Sequence, residues 1–470
     1  MIQFILNNKE IKTALSPGLT LLDFIRYQQQ LTGTKIGCRE GDCGACSILA
    51  GEIKNDKLVY SSATSCLMPL GNAGGKHIVT IEGINLDGLN AMQEAFAAEG
   101  ATQCGFCTPG FIVSLAGFCI SEKEPSYPKA IDAMNGNICR CTGYKSIERA
   151  AATVNEKMQE RANRDPLQFA VDNKMIPAYF LEIKERLQKI QVPQIQHGKN
   201  GTAAKFLGGG TDLYVQQHDT IVDEQIEFLF DKPALKGISQ TGNTCEMGAA
   251  VTVTDIAESN IFKDHFPGLD QYIKLVSSTQ IRNMATIAGN FTNASPIGDL
   301  TIFFLALNAR LKLSDGSNSR QVFLKDFYKG YKSLDKTAKE IIEKIYFELP
   351  AKNDLFNFEK VCKRTWLDIA SVNTAIHLKI DGGKIIAAGM SAGGVGPVPT
   401  YLSKCSALLI GKEITVELVS ELVSLAQTEI TPISDARGTE AYKRLLLSQL
   451  IKAHFIKLFP GLTLEHIIHS

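Results

Sequence analysis

A chain of 470 residues, 44% of them hydrophobic and 21% charged, holds material for roughly two to four globular domains and is neither collagen-like nor intrinsically disordered. Lysine plus arginine and aspartate plus glutamate number 49 each, so no charge excess recruits nucleic acid or an anionic membrane. No apolar run approaches the roughly 18 residues that span a bilayer, and neither a membrane nor nucleic acid is expected as a partner.

The opening MIQFILNNKEIKTAL lacks the basic n-region and long apolar core of a secretory signal. Twelve cysteines without such a signal point to metal or redox use rather than a disulfide framework, and to a cytoplasmic location. Alternating Ile2, Phe4 and Leu6 predict a strand that turns at Asn7 and Asn8. Residues 21–30 predict a helix, with Leu21, Leu22, Phe24 and Ile25 on its apolar face. Further strands are expected over 46–50, 57–60 and 77–81. That order of elements across residues 1–82 suits a small β-grasp domain wrapped around one helix.

Inside it, KIGCREGDCGACSI places Cys38, Cys43 and Cys46 at C-x4-C-x2-C, and Cys66 follows after SSATS. This is the plant-type ligand run of a [2Fe–2S] cluster. Gly37, Gly41 and Gly44 let the loop fold back tightly, and a tight loop turns N–H groups inward toward thiolate and sulfide charge. A disulfide pair or buried structural thiols is the competing reading; the odd number of clustered cysteines weighs against it.

Over 83–157 strand signals vanish and helical periodicity appears at 89–99, 110–120 and 146–159. Pro109 suits the first turn of the middle helix. This separate all-α unit carries a second set, Cys104 and Cys107 in QCGFC and Cys139 and Cys141 in NICRCTG. Four thiolates also satisfy tetrahedral zinc; the C-x-C spacing and the cluster motif upstream favour iron.

The polar, charged stretch 158–178 reads as a linker or a loosely attached helix. From 179 the pattern becomes mixed α/β, with two glycine-rich segments. One is Phe206, Leu207, Gly208, Gly209, Gly210, Thr211, Asp212 and Leu213; the other begins Thr286, Ile287, Ala288, Gly289 and Asn290 and continues through Ser295 to Asp299. Each precedes a helix pattern, an arrangement in which bare N–H groups can cradle a phosphate. Neither matches a Rossmann fingerprint or a P-loop, and a plain turn is the competing reading of each. Behind two cluster motifs a flavin is the expected occupant. The last part, 355–470, shows strands at 376–380 and 384–390, a turn at GGVGP, and helices at 416–428 and 441–458. The histidines form no metal-ligand spacing, and His377 reads as a strand residue. Cys119, Cys245, Cys362 and Cys405 read as small core residues, and Trp366 reads as a packing residue, with a place near the flavin as the competing reading. No acid, base or nucleophile is assigned.

In sum, GCREGDCGACS, QCGFCTPGF, NICRCTGY, GGGTDL and TIAGNFTNASPIGDL together resemble the iron–sulfur and flavin portion of the molybdenum hydroxylases, the xanthine dehydrogenase branch in particular. VCKRTWLDIA and GGVGPVP resemble the family's C-terminal flavoprotein subdomain less sharply. The resemblance covers nearly the whole chain and implies a multidomain α+β architecture. Its parts would be a β-grasp plant-type ferredoxin domain (1–82), an all-α four-helix [2Fe–2S] domain (83–157), a linker (158–178), a two-part α+β FAD-binding domain of PCMH type (179–350) and a C-terminal α+β subdomain (355–470). It further implies one cluster on Cys38, Cys43, Cys46 and Cys66 and another on Cys104, Cys107, Cys139 and Cys141. FAD would lie on the 206–213 and 286–290 loops, near Ser295, with Asp299 toward the ribityl chain or ring. NAD would be the electron acceptor, and a separate large subunit in a higher hetero-oligomer would hold molybdopterin and the purine site, faced by Gln103 and Cys141. Residues 179–204 match the family poorly, and Ala288 stands where a second glycine is common. Three other readings remain: the same role in an aldehyde or N-heterocycle hydroxylase, a self-contained NAD(P)H oxidoreductase, and a non-enzymatic redox sensor.

Overall fold

The computed structural model describes residues 1–121, 123–190 and 205–462. They form two compact units, the first comprising Met1–Phe230 with Ser278–Ala285, the second Asp231–Ser277 with Thr286 onward.

In the first unit the strand Ile2–Leu6 pairs antiparallel with Lys9–Thr13 across a turn at Asn7, whose φ of +53° a short polar side chain tolerates. Ile2–Leu6 also runs parallel to His77–Val79, which pairs with Ser47–Lys54 and through it with Lys57–Thr64. One face of this five-stranded sheet covers Leu21, Leu22, Phe24 and Ile25. The expected helix over 21–30 is shorter and irregular: Thr20 caps an α-turn Leu21–Asp23, and Phe24–Gln28 continues as a wider π-turn. There Arg26 donates to the carbonyls of Thr32 and Thr34 at 3.0 and 2.6 Å, drawing the chain toward the cysteine loop.

Four helices follow: Ala91–Ala98, Thr108–Cys119, Tyr127–Ala133 and Lys145–Gln159. The first begins with a reciprocal Asn90–Gln93 capping box, and Pro109 lies in the first turn of the second, where its missing N–H has no intrahelical partner to lose. Phe96, Phe111, Leu115 and Val154 belong to their common core. The stretch 158–178 is not a loose linker. Asp165 caps a helix Pro166–Asp172, and Phe169, Met175 and Ile176 are buried in that same core. A few apolar residues on one side suffice to anchor a segment whose average composition is polar. Ala178–Glu182 and Ile183–Gln188 continue the unit, burying Phe180 and Ile183; residues 191–204 lie outside those described.

The second unit holds a five-stranded antiparallel sheet in the spatial order Ser319–Phe323, Arg310–Ser314, Ile341–Glu348, Thr244–Gly248, Ile238–Thr241. Its aromatic core joins Phe262, Phe266, Phe303, Phe304 and Phe347. The C-terminal part is an antiparallel sheet of Leu355–Val361, Val372–Asp381, Lys384–Gly393 and Thr400–Tyr401. Helices Ser403–Leu409, Val416–Ala426 and Glu440–Leu458 cover it. No helix among the described residues is long and apolar enough to cross a membrane.

Candidate cofactor sites

The first cysteine loop is held open by charge and closed by backbone. Gly41 and Gly44 take φ of +77° and +66°, conformations that a Cβ would penalise. Arg39, between the first two cysteines, forks onto both carboxylate oxygens of Asp23 at 2.6 and 3.1 Å, tying the loop to the helix start. Cys46 and Cys66 are buried, Cys38 and Cys43 half-buried. The four thiols stand in two pairs, Cys38 with Cys43 and Cys46 with Cys66, hydrogen-bonded within each pair. Backbone N–H groups turn inward: Glu40 N–H points at Cys38 Sγ (3.3 Å) and Cys38 N–H at Cys43 Sγ (3.4 Å). The Cys43 thiol, with the backbone N–H groups of Glu40, Cys43 and Asp42, draws Cys38 down to about 5 against the opposing effect of burial.

In the second set Cys107 is the residue before the helix Thr108–Cys119, and Cys139 and Cys141 lie in the loop before Lys145–Gln159. Here too the thiols pair, Cys104 with Cys141 at 3.5 Å and Cys107 with Cys139. Thr142 N–H points at Cys139 Sγ (3.4 Å) and Tyr144 Oη receives Cys139 N–H (3.1 Å). Burial pushes Cys107 up to about 12. Cys104 and Cys141 are exposed, beside exposed Phe106 and Tyr144. Among the described residues, no three His, Cys, Asp or Glu side chains converge on one point as a single metal ion requires. Two pairs of thiols suit two irons bridged by sulfide, each tetrahedral iron taking two cysteines.

The two glycine segments fall in different units. In the first unit Lys205–Leu207 is a strand parallel to Ile226–Phe228, and Gly208 to Gly210 turn into the short helix Leu213–Gln217. Phe206, Thr211, Asp212 and Leu213 are half-buried; Leu207 faces the core, offering only its backbone. Asn72 Nδ2 donates to Gly208 O at 3.0 Å. Gly209 cannot carry a side chain, because a Cβ would lie 1.8 Å from Met284 O. In the second unit the expected loop 286–290 is a capped helix: Thr286 Oγ1 accepts Gly289 N–H (3.2 Å) at the start of Ile287–Asn293. Ile287 is buried, Ala288 lies in the first turn, and Asn290 Oδ1 is taken by Thr301 N–H and Oγ1 (3.0 and 2.9 Å). Ser295 Oγ caps Ile297 N–H at 3.5 Å. Asp299 is engaged through both oxygens, with Lys360 Nζ at 2.7 Å and Asn373 Nδ2 at 2.6 Å.

Lys360 and Asn373 carry no motif. The one local signal is the alternation Phe356, Phe358, Lys360 along Leu355–Val361, which puts a lysine where a core residue is due. Trp366 is half-buried, with Lys274 Nζ 4.8 Å from its ring centre. His377 lies in a strand as expected, and Cys119, Cys245 and Cys405 are buried; Cys362 is half-exposed instead.

Four family models match in succession. They are a 2Fe-2S iron-sulfur cluster binding domain over residues 4–70, a [2Fe-2S] binding domain over 80–152, an FAD binding domain in molybdopterin dehydrogenase over 187–351, and a CO dehydrogenase flavoprotein C-terminal domain over 358–458. Together these domains match the iron–sulfur and flavin portion of the molybdenum hydroxylases. The chain therefore contains two [2Fe–2S]-binding domains and an FAD-binding domain. Xanthine dehydrogenase of Emericella nidulans is 28% identical over 88% of this chain and 35% of its own length. Xanthine dehydrogenase 1 of Arabidopsis thaliana is 27% identical over 94% and 39%. The chain spans under two-fifths of the length of these curated relatives. A solved carbon monoxide dehydrogenase chain from Hydrogenophaga pseudoflava, 25% identical, superposes with a TM-score of 0.53 over 56% of this chain and 92% of that one.

Proposed function

We propose that this chain is the electron-transfer and NAD-reducing part of a xanthine dehydrogenase. A large partner subunit would hold molybdopterin and oxidise the purine. When bound, the two clusters supply one-electron steps and FAD couples them to the two-electron reduction of NAD+. Cys38, Cys43, Cys46 and Cys66 hold one cluster and Cys104, Cys107, Cys139 and Cys141 the other. The pairwise standing of the eight thiols, with N–H groups aimed at sulfur, carries this reading. Burial of Cys46 and Cys66 excludes water from one cluster, and the exposed Cys104–Cys141 edge leaves the other open toward the partner. The 206–213 segment offers backbone N–H groups for the FAD phosphates, whereas those of the Thr286 turn are engaged within their own unit: Ile287 N–H by Val251 O, Ala288 N–H by Ala249 O and Gly289 N–H by Thr286 Oγ1. Asp299, held by Lys360 and Asn373, is a preset carboxylate for the flavin side, with Ser295 close in sequence.

The likeness to a carbon monoxide dehydrogenase chain favours a second reading, in which the same wiring serves a partner with a substrate other than a purine. Iron, sulfide and flavin analysis with low-temperature EPR tests the cofactor assignment. Two distinguishable [2Fe–2S] signals are expected, one of them lost in Cys43→Ala. Survival of both signals in that variant overturns the ligand assignment. Co-purification of the native complex, with xanthine and carbon monoxide offered in turn, separates the two substrate readings.

A further inference from the structure

Neither the cysteine motifs nor the glycine segments account for Gln280, on the short helix Thr279–Arg282 of the first unit. Its side chain is fully buried (0% exposed). Gln280 Nε2 donates to Asn137 Oδ1 at 3.0 Å and Ser114 Oγ at 3.1 Å, and more weakly to Ala133 O at 3.4 Å. Its Oε1 has no hydrogen-bond partner among the described residues and rests against Gly136, where a Cβ would lie 2.1 Å away. A buried amide with an unused acceptor costs stability, and an apolar side chain of the same size would fill the space without that cost. What only a donor supplies here are the bonds to Asn137 and to its neighbour Ser114.

Asn137 is itself buried, and every polar atom of its side chain is engaged. Its Nδ2 donates to Gly44 O at 3.0 Å and Ser47 Oγ at 3.3 Å, and its Oδ1 also accepts from Ser114 Oγ at 2.8 Å. Beside it, Ile138 N–H donates to Cys43 O at 3.0 Å. The two cysteine loops are thus joined at adjacent positions, Cys43 and Gly44 on one, Asn137 and Ile138 on the other. The approach leaves no room for side chains: a Cβ on Gly44 would lie 2.4 Å from Gly136 O, and one on Gly110 2.3 Å from Gly44 O.

We propose that Gln280 is a positioning residue that locks Asn137 in the orientation bridging the two cysteine loops, and so sets the separation and mutual orientation of the two clusters. This rests on the reading that each loop holds a [2Fe–2S] cluster. It assigns to a segment within the FAD-binding match a task between the two iron–sulfur domains.

The test uses the full chain with its cofactors. Gln280→Leu keeps the volume and loses the donor; Gly136→Ala evicts the same side chain by contact. Both are expected to retain the parent's iron and flavin content. Both are also expected to alter or lose the spin–spin splitting between the two reduced clusters in low-temperature EPR. In a Gln280→Ala background Gly136→Ala should shift the splitting less than it does alone, its remaining close contact being Ser278 Cβ at 2.8 Å. Ser114→Ala, which removes the other donor to Asn137 Oδ1, should shift the splitting in the same sense and decides the matter if Gln280→Leu does not fold. Spectra of folded variants that superimpose on the parent overturn the proposal. A parent protein without two cluster signals defeats the underlying cofactor reading instead.

Discussion

Lys360 offers the sharpest energetic test in the molecule. Its side chain is completely buried, and its ammonium donates to Asp299 Oδ2 and to Leu275 O, both at 2.7 Å. Lys360→Met keeps the length and removes the charge. Asp299, 14% exposed, is then left with Asn373 alone, and the Leu275 carbonyl loses its donor. Breaking a buried ion pair from one side costs about 3–5 kcal/mol. Because Asp299 retains Asn373 and some water, the lower end applies, and the orphaned carbonyl adds about 1 kcal/mol. A loss of about 4 kcal/mol is expected, a large share of the roughly 5–15 kcal/mol that holds a domain together. Urea unfolding followed by the fluorescence of Trp366 is the assay, since the chain's single tryptophan lies in this unit. Asp299→Asn in the Lys360→Met background neutralises the stranded carboxylate and should recover more than half of the loss. A single-variant loss below about 1 kcal/mol, or strictly additive effects, refutes the view that these two charges depend on each other.

Two further outcomes follow from the same structure. His454 is fully buried between Asn357 Nδ2 (2.8 Å) and Thr374 Oγ1 (2.6 Å), and burial, with Lys457 adding to it, pushes it down to about 3. The unfolded chain takes up this proton near pH 6.5 and the folded one does not, so stability is complete above that pH. Below it, stability falls by about 1.4 kcal/mol per pH unit for this residue. His454→Gln should therefore flatten the stability profile between pH 5.5 and 4 as read by Trp366, and an unchanged slope contradicts the assignment. Gly209→Val should strip FAD while sparing both cluster signals; given the contact with Met284, Met284 must shift as well, so retention of flavin at full occupancy removes this loop from the binding site.

The tight spacings Cys38–Cys43–Cys46, Cys104–Cys107 and Cys139–Cys141 are legible because each is local, with glycines at the turns and Pro109 opening the next helix, whereas Cys66 lies twenty residues past its group and the halves of the second set about thirty apart. The β-grasp order, three of the four helices and the C-terminal strands are legible for the same reason, since periodicity records which side of an element is buried; the helix Tyr127–Ala133 shows no such stripe and comes only with the family resemblance. The segment 286–290 was misread as a loop because its glycine masks a helix whose real marker is the cap at Thr286. The stretch 158–178 was misread as a linker because composition averages away the few residues, Phe169, Met175 and Ile176, that anchor it.

What the amino-acid order determined by itself is therefore the inventory of thiols, turns and amphipathic faces. Only the tertiary structure decided which thiol stands beside which, that Lys360 answers Asp299, and that Gln280 reaches Asn137 across 143 positions of chain. Periodicity states that a side chain points inward but carries no address for the group it meets. A buried polar residue acquires its role from the one partner that satisfies it, and that partner is chosen by packing.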